Sequence, residues 1–159
     1  MSTSPSSTSN PQSSEELELL AFRLGDDEYC IDIMSVREIR GWTRPTPLPH
    51  TPPHLRGVIN LRGTVLPVID LPMRLGLAAV TGDSRNVIIV VNLGSQLAGL
   101  LVHAVSDILT LESGNLQPPP EVGTYVQQKF VRALAVVENR MIRLLNLPAV
   151  LPDISAEVA

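Results

Sequence analysis

The sequence predicts an all-β fold built from two tandem copies of one small unit, and three observations carry that expectation. Phe22-Arg23-Leu24-Gly25 overlays Val91-Asn92-Leu93-Gly94 at a shift of 69 residues, and the match runs on without a gap. Ile31 falls on Leu100, Ile33 on Val102, Val36 on Val105, Glu38 on Asp107 and Ile39 on Ile108. A second stretch repeats at a shift of 76: Leu66 on Ile142, Val68 on Leu144, Ile69 on Leu145, Asp70 on Asn146, and Leu71-Pro72 on Leu147-Pro148. The difference is seven residues, which the Glu112–Gly123 stretch absorbs. Finally, within each copy short apolar runs of strand length are separated by Gly-containing turns, and in the first copy they alternate as half-buried strands do.

Residues 1–15 are rich in Ser, Thr, Pro and Asn and read as a disordered tail. One domain follows over 16–152, with repeats near 17–78 and 85–151 whose strands are free to cross between units; residues 153–159 are expected to fray. Leu20, Phe22 and Leu24 alternate, Gly25-Asp26-Asp27 turns, and Tyr29, Ile31 and Ile33 alternate again: a hairpin with one buried face. The matching runs Val87–Val91 and Leu97–Val102, about the Gly94-Ser95-Gln96 turn, are continuously apolar, so the second copy is expected to be the drier one. Val36–Trp42 is a third strand, or a short turn and strand.

Five prolines lie between Arg44 and Pro53, a composition that cannot enter a central strand. A stiff loop is favoured there over a polyproline ligand for a partner's groove. Gly57–Leu71 reads as a tight hairpin turning at Arg62-Gly63, with Pro67 implying an edge or a bulge. Met73–Gly76 is a helical turn, and Thr81-Gly82-Asp83 the crossover. Val131–Val137 and Met141–Leu147 replay the hairpin about Glu138-Asn139-Arg140. Each copy thus offers about five short strands, which suits a small closed barrel.

Apolar residues make up 44% of the 159, enough for a core, while aromatics are only 3%, so aliphatic side chains must fill it. The net charge of −4 argues against a dedicated nucleic-acid surface, and Trp42, Tyr29 and Tyr125 form no stacking cluster in sequence. No apolar run reaches bilayer length, and no signal pattern opens the chain, so a cytoplasmic location is expected.

Nothing resembles a catalytic centre, and neither cofactor nor metal is expected. His50 and His54 sit in the proline loop, where helical ligand spacing is unavailable. His103 lies near Ser106 and Asp107 but without the strained elbow a nucleophile needs, and its first-copy counterpart is Met34. Cys30 is the single cysteine, overlays Gly99, and reads as a small filler where backbones or barrels come close. The stronger candidates are Glu38 and Arg62, an opposite-charge pair whose second-copy counterparts, Asp107 and Glu138, do not repeat it. A pair present in one copy only points to a role beyond folding, with Arg62 at a hairpin tip and Glu38 holding it.

Phe22-Arg23-Leu24-Gly25-Asp26-Asp27-Glu28-Tyr29, Val36-Arg37-Glu38-Ile39-Arg40-Gly41, Gly57-Val58-Ile59-Asn60-Leu61-Arg62-Gly63, Pro67-Val68-Ile69-Asp70-Leu71 and Val105-Ser106-Asp107-Ile108-Leu109 together resemble the CheW family of chemotaxis coupling proteins. The resemblance spans roughly Glu16 to Leu151. It implies two five-stranded SH3-like barrels packed together, with short helical turns. It also implies a non-enzymatic adaptor joining chemoreceptor signalling tips to the regulatory domain of the histidine kinase CheA, at membrane-bound receptor arrays. Further copies of the adaptor in rings would be additional partners. By this resemblance Val36, Gly57, Arg62 and Val105 contact the receptor in the groove between barrels, with Glu38 supporting Arg62. Kinase contact would involve the Gln117–Val122 loop, where Gln117 and Val122 replace the basic and aromatic residues common in relatives. The other readings are a coupling protein of a pilus-type chemosensory system, a barrel that binds single-stranded nucleic acid, and a hydrolase built on His103.

Overall fold

Glycine turns and aliphatic runs place the strands, and an exchange of hairpins between the repeats sets how they pair. The structure is a computed structural model describing residues 15–119 and 129–151. The expectations for the N-terminal tail to residue 14, for Val122 and Tyr125, and for the C-terminal residues from 152 lie outside those residues.

The first hairpin is β1 (Glu16–Leu24) and β2 (Asp27–Asp32), turning at Gly25 with φ 65°. Asp32 Oδ1 accepts the Met34 N–H at 2.9 Å and starts a 3-10 turn, Ile33–Ser35, that leads into β3 (Val36–Gly41). Next come β4 (Leu55–Leu61), β5 (Thr64–Asp70) and a single helical turn, α1 (Leu71–Arg74). The second repeat supplies β6 (Val87–Leu93), β7 (Gln96–Val102), β8 (Ala104–Glu112), the two-residue β9 (Leu116–Gln117), β10 (Val131–Val137), β11 (Arg140–Leu145) and α2 (Leu147–Val150).

These strands form two sheets, ordered β8-β1-β2-β11-β10-β9 and β3-β6-β7-β5-β4. Each sheet therefore takes its first hairpin from one repeat and the rest from the other, so the two barrels are interlocked through the chain. Parallel junctions close the exchange at repeat-equivalent places. Cys30 lies opposite Leu144 in one and Gly99 opposite Val68 in the other. The second sheet has the expected five strands; the first adds β9 as a sixth, short one.

Three apolar clusters follow from this arrangement. Leu19, Ala21, Cys30, Leu109, Leu111, Ala135 and Ile142 fill the first barrel. Ile59, Leu66, Val68, Ile88, Val90 and Leu101 fill the second. The third lies between them and joins the opposite faces of the same strands, with Phe22, Tyr29 and Ile31 meeting Ile69, Ile89, Val91 and Leu100. Strands β6 and β7 are buried on both faces, as their unbroken apolar runs require. Cys30 proves to be a filler of the first barrel's interior. Burial pushes its thiol up to about 12, with Glu28 adding to the effect, so it is a protonated, unreactive side chain.

Pro67 needs a correction. Strand β5 has a neighbour on each side, so the proline is not at a sheet edge. Val58, opposite it, sends both backbone groups away to Thr46, at 2.8 and 2.9 Å. Pro67 thus sits in a pair that exchanges no hydrogen bonds, and its missing donor faces β7 one residue before that pairing starts at Val68. The bulge is in β4, where Arg56 is the extra residue between Leu55 and Gly57.

Candidate partner-binding site

Both repeats carry a bulge at one position of the strand that follows the first hairpin. In β3, Val36 pairs with Val91 and Glu38 with Val90, leaving Arg37 extra; in β8, Val105 pairs with Phe22 and Asp107 with Ala21, leaving Ser106 extra. A bulge rotates the strand locally. Val36 and Val105 consequently pack against the inter-barrel cluster while staying partly exposed, and a carboxylate stands two residues beyond each of them. The two valines mark repeat-related positions along the seam.

The carboxylates meet arginines from the second hairpin of each repeat. Arg62 sits at φ 52° and Gly63 at φ 89°, the two left-handed positions of a tight two-residue turn, and the Gly63 N–H donates to Asn60 Oδ1 at 2.8 Å. From that tip the Arg62 guanidinium reaches Glu38 at 2.5 Å. Arg40 approaches the other Glu38 oxygen at 3.2 Å. The Arg62 hydrogen bond, helped by Arg40, holds the Glu38 carboxyl below its ordinary range. Arg62 itself is 69% exposed, so most of its donors face solvent.

The second barrel's pair has a relative in the first, which corrects the expectation drawn from Asp107 and Glu138. Glu138 and Asn139 take the same left-handed turn, at φ 49° and 67°, and the cation stands two places on, at Arg140. Its guanidinium grips Glu28 through Nε at 2.8 Å and Nη2 at 2.6 Å, and Asp107 at 3.2 and 3.4 Å. The aligned columns hid it because the arginine moved along the hairpin. The two clamps differ: among the described residues Arg140 has two carboxylates and is 31% exposed, whereas Arg62 has one and projects into solvent.

The Arg140 hydrogen bond, chiefly, holds the Glu28 carboxyl below its ordinary value of 4.5. A lowered folded-state value stabilises the fold above pH 4.5 and is lost as pH falls through the lowered value. The expected result is a melting temperature that falls on acidification below pH 4.5, with a shallower fall in Glu28→Gln. Parallel acid melts of the two proteins check it.

Gly57, with φ 143°, is buried beneath the proline loop, and a Cβ there would sit on the Thr46 carbonyl. The structure thus separates it from Val36, Val105, Glu38 and Arg62, which all have surface to offer: it supports the loop that lies over it. Gln117 is exposed on β9, opposite Leu134. His103 is half-buried and accepts the Gly25 N–H at 2.9 Å, which ties down the first hairpin turn. Among the described residues no group of three or more His, Cys, Asp or Glu side chains is placed to hold a metal ion. No helix there is long and apolar enough to cross a membrane.

Sequence reasoning missed a set of exposed apolar side chains. Ile39 is 46% exposed and its repeat partner Ile108 59%; Val65 is 64% exposed and its partner Met141 58%. The signal was available: these residues occupy outward positions where alternation calls for polar groups, and they do so in both copies.

Two interlocked small barrels with an apolar seam and charged hairpin tips define the class, a doubled SH3-like β protein. Comparison with known proteins makes it specific. A family model described as "CheW-like domain" matches residues 18–155, and the chain belongs to that family. "Chemotaxis protein CheW" of Rhizobium meliloti (strain 1021) is 50% identical over 142 residues, covering 89% of this chain and 92% of the relative. The Klebsiella aerogenes protein of the same description is 37% identical over 134 residues, 84% and 81% of the two chains. The crystal structure of scaffolding protein TtCheW from Thermoanaerobacter tengcongensis superposes with a TM-score of 0.79 at 33% identity, covering 86% of this chain and 92% of the other.

Proposed function

We propose that this chain is a non-enzymatic adaptor of bacterial chemotaxis, coupling the cytoplasmic tip of a chemoreceptor to the regulatory domain of the kinase CheA. The observation that carries the reading is the half-exposed seam, where Val36 and Val105 stand over the inter-barrel core within a family of chemotaxis proteins. Apolar contacts at such a seam supply affinity, and a charged residue beside them fixes register. Arg62 suits the second of these roles, because its backbone is pinned at the turn, Glu38 orients the guanidinium, and its remaining donors are open to a partner.

The mechanism is linkage. An adaptor holding two partners raises the effective concentration of each at the other, and a change in packing at one interface passes on as a coupling free energy. The repeat-related residues, Ile39 and Val65 in one barrel and Ile108 and Met141 in the other, give each barrel exposed apolar side chains of its own. They supply faces for the kinase domain, together with Gln117, and for further copies of the adaptor in rings.

Arg62→Asp is expected to weaken capture of a receptor signalling fragment at least tenfold, with a melting temperature within about 2 °C of the parent. Aspartate accepts the left-handed turn more readily than most residues, so the hairpin is kept while the charge is reversed against Glu38. Co-sedimentation with receptor fragment and kinase regulatory domain, separately and together, is the measurement. Undiminished receptor capture by the variant would remove Arg62 from the interface.

A further inference from the structure

A cavity of about 230 Å³ lies away from the seam, between the proline loop and the crossover that joins the repeats. It is lined by Trp42, Pro45 and Pro47, by two arginines, Arg44 and Arg56, and by Thr81 and Gly82 of the crossover. The cationic groups are under-used. Arg44 has no hydrogen-bond or ion-pair partner among the described residues. Arg56 has one ion pair, with Asp70 at 3.6 Å, beyond hydrogen-bonding distance. That carboxylate is already committed, since Oδ1 accepts the Met73 N–H and Oδ2 the Val80 N–H, both at 3.1 Å. Asp83, next in sequence to Gly82, is matched by Arg85 at 3.2 Å and by the Thr81 hydroxyl.

The local backbone is shaped around this space. Arg56 is the extra residue of the β4 bulge, the device that re-aims a side chain. Gly82 sits at φ 81°, and a Cβ there would come within 2.8 Å of Arg56 Nη2 and 3.0 Å of the Trp42 ring. Only a glycine lets both side chains stand where they do. The Gly82 and Asp83 N–H groups both donate to Asn86 Oδ1 at 2.8 Å, which fixes this wall.

We propose that this cavity binds a small organic oxyanion, its carboxylate or phosphate group between Arg44 and Arg56 and a flat apolar body against Trp42 and the proline rings. Guanidinium forks match both oxyanions, and the indole and proline faces favour a planar body. The volume, about 230 Å³, leaves room for one ring with its anionic group. An occupant would bridge the 44–47 loop, already held on β4 through Thr46, to the crossover. The assignment is independent of the adaptor reading, because the site shares no residue with the seam.

Trp42 is the chain's single tryptophan, so its fluorescence reports on this cavity alone. Titration of the full chain with phenyl phosphate or benzoate is expected to change that emission saturably, with half-saturation near about 1 mM or below. Phenol should leave it unchanged, and the stronger of the two anions identifies the preferred oxyanion. Arg44→Gln is expected to weaken binding at least fivefold without moving the melting temperature, since Arg44 bonds to nothing among the described residues, and Arg44→Lys to recover part of it. Absence of saturation by either anion up to about 20 mM, equal binding of phenol, or unaltered affinity in Arg44→Gln would each overturn the proposal.

Discussion

Asp70→Ala is expected to lower stability by about 3 kcal/mol, a fall of roughly 6–12 °C in melting temperature. The carboxylate is fully buried at the end of β5, and it serves three segments at once. Oδ1 caps α1 through the Met73 N–H, Oδ2 receives the Val80 N–H ten residues on, and Arg56 of β4 supplies the compensating charge. Truncation leaves two N–H groups without their acceptor and the Arg56 guanidinium without its counter-charge, and each unsatisfied buried donor costs about 1–3 kcal/mol. The second repeat supplies the control. Asn146 stands at the same place, and its backbone N–H donates to Phe130 O at 2.8 Å as that of Asp70 does to His54 O at 2.7 Å. Its side chain, however, makes no capping hydrogen bond. Asn146→Ala should therefore cost less than about 1 kcal/mol. Urea melts of both variants decide the matter, and equal losses would show that the carboxylate is not what holds the junction.

The contrast between Asp70 and Asn146 shows what the repeat made legible and what it concealed. Alignment of the two copies placed every hairpin, because alternating aliphatic residues and turn glycines report local geometry. It could not show which hairpins pair, since exchanging partners between equivalent repeats preserves each strand's pattern of buried and exposed positions. Pro67 illustrates the limit: the residue type said that one donor was missing, but only the register with Val58 showed that no ladder bond was being asked of it.

At the site, Glu38 and Arg62 were legible as opposite charges on neighbouring elements. Their apparent absence from the second copy, which singled them out, did not survive. Arg140 restores the pair from a position two residues displaced, and side-chain reach made the shift invisible to column matching. What distinguishes Arg62 is exposure together with a single carboxylate partner, neither of which is written in residue type. The Arg56 bulge and the Gly82 approach to Trp42 were equally out of sight, because both arise where distant segments meet.

Gly57→Asp is expected to lose both stability and receptor binding, and Gly57→Ala most of the same. At φ 143° the backbone occupies a region that side chains rarely enter, which alone costs roughly 1–3 kcal/mol. A Cβ would also land on the Thr46 carbonyl, so the loop must lift and break the two Thr46–Val58 hydrogen bonds, at about 0.5–1.5 kcal/mol each. If Gly57 instead lined a receptor groove, as the family resemblance implies, an aspartate would act by its bulk and charge and alanine would be nearly harmless. The geometry predicts otherwise, because the first added carbon already meets backbone. Limited proteolysis should cut both variants faster within residues 44–53, and their melting temperatures should fall by several degrees. Arg62→Asp, which leaves the loop alone, should do neither. An alanine variant that melts and binds like the parent would mean that the proline loop yields freely, and that position 57 acts on the partner directly.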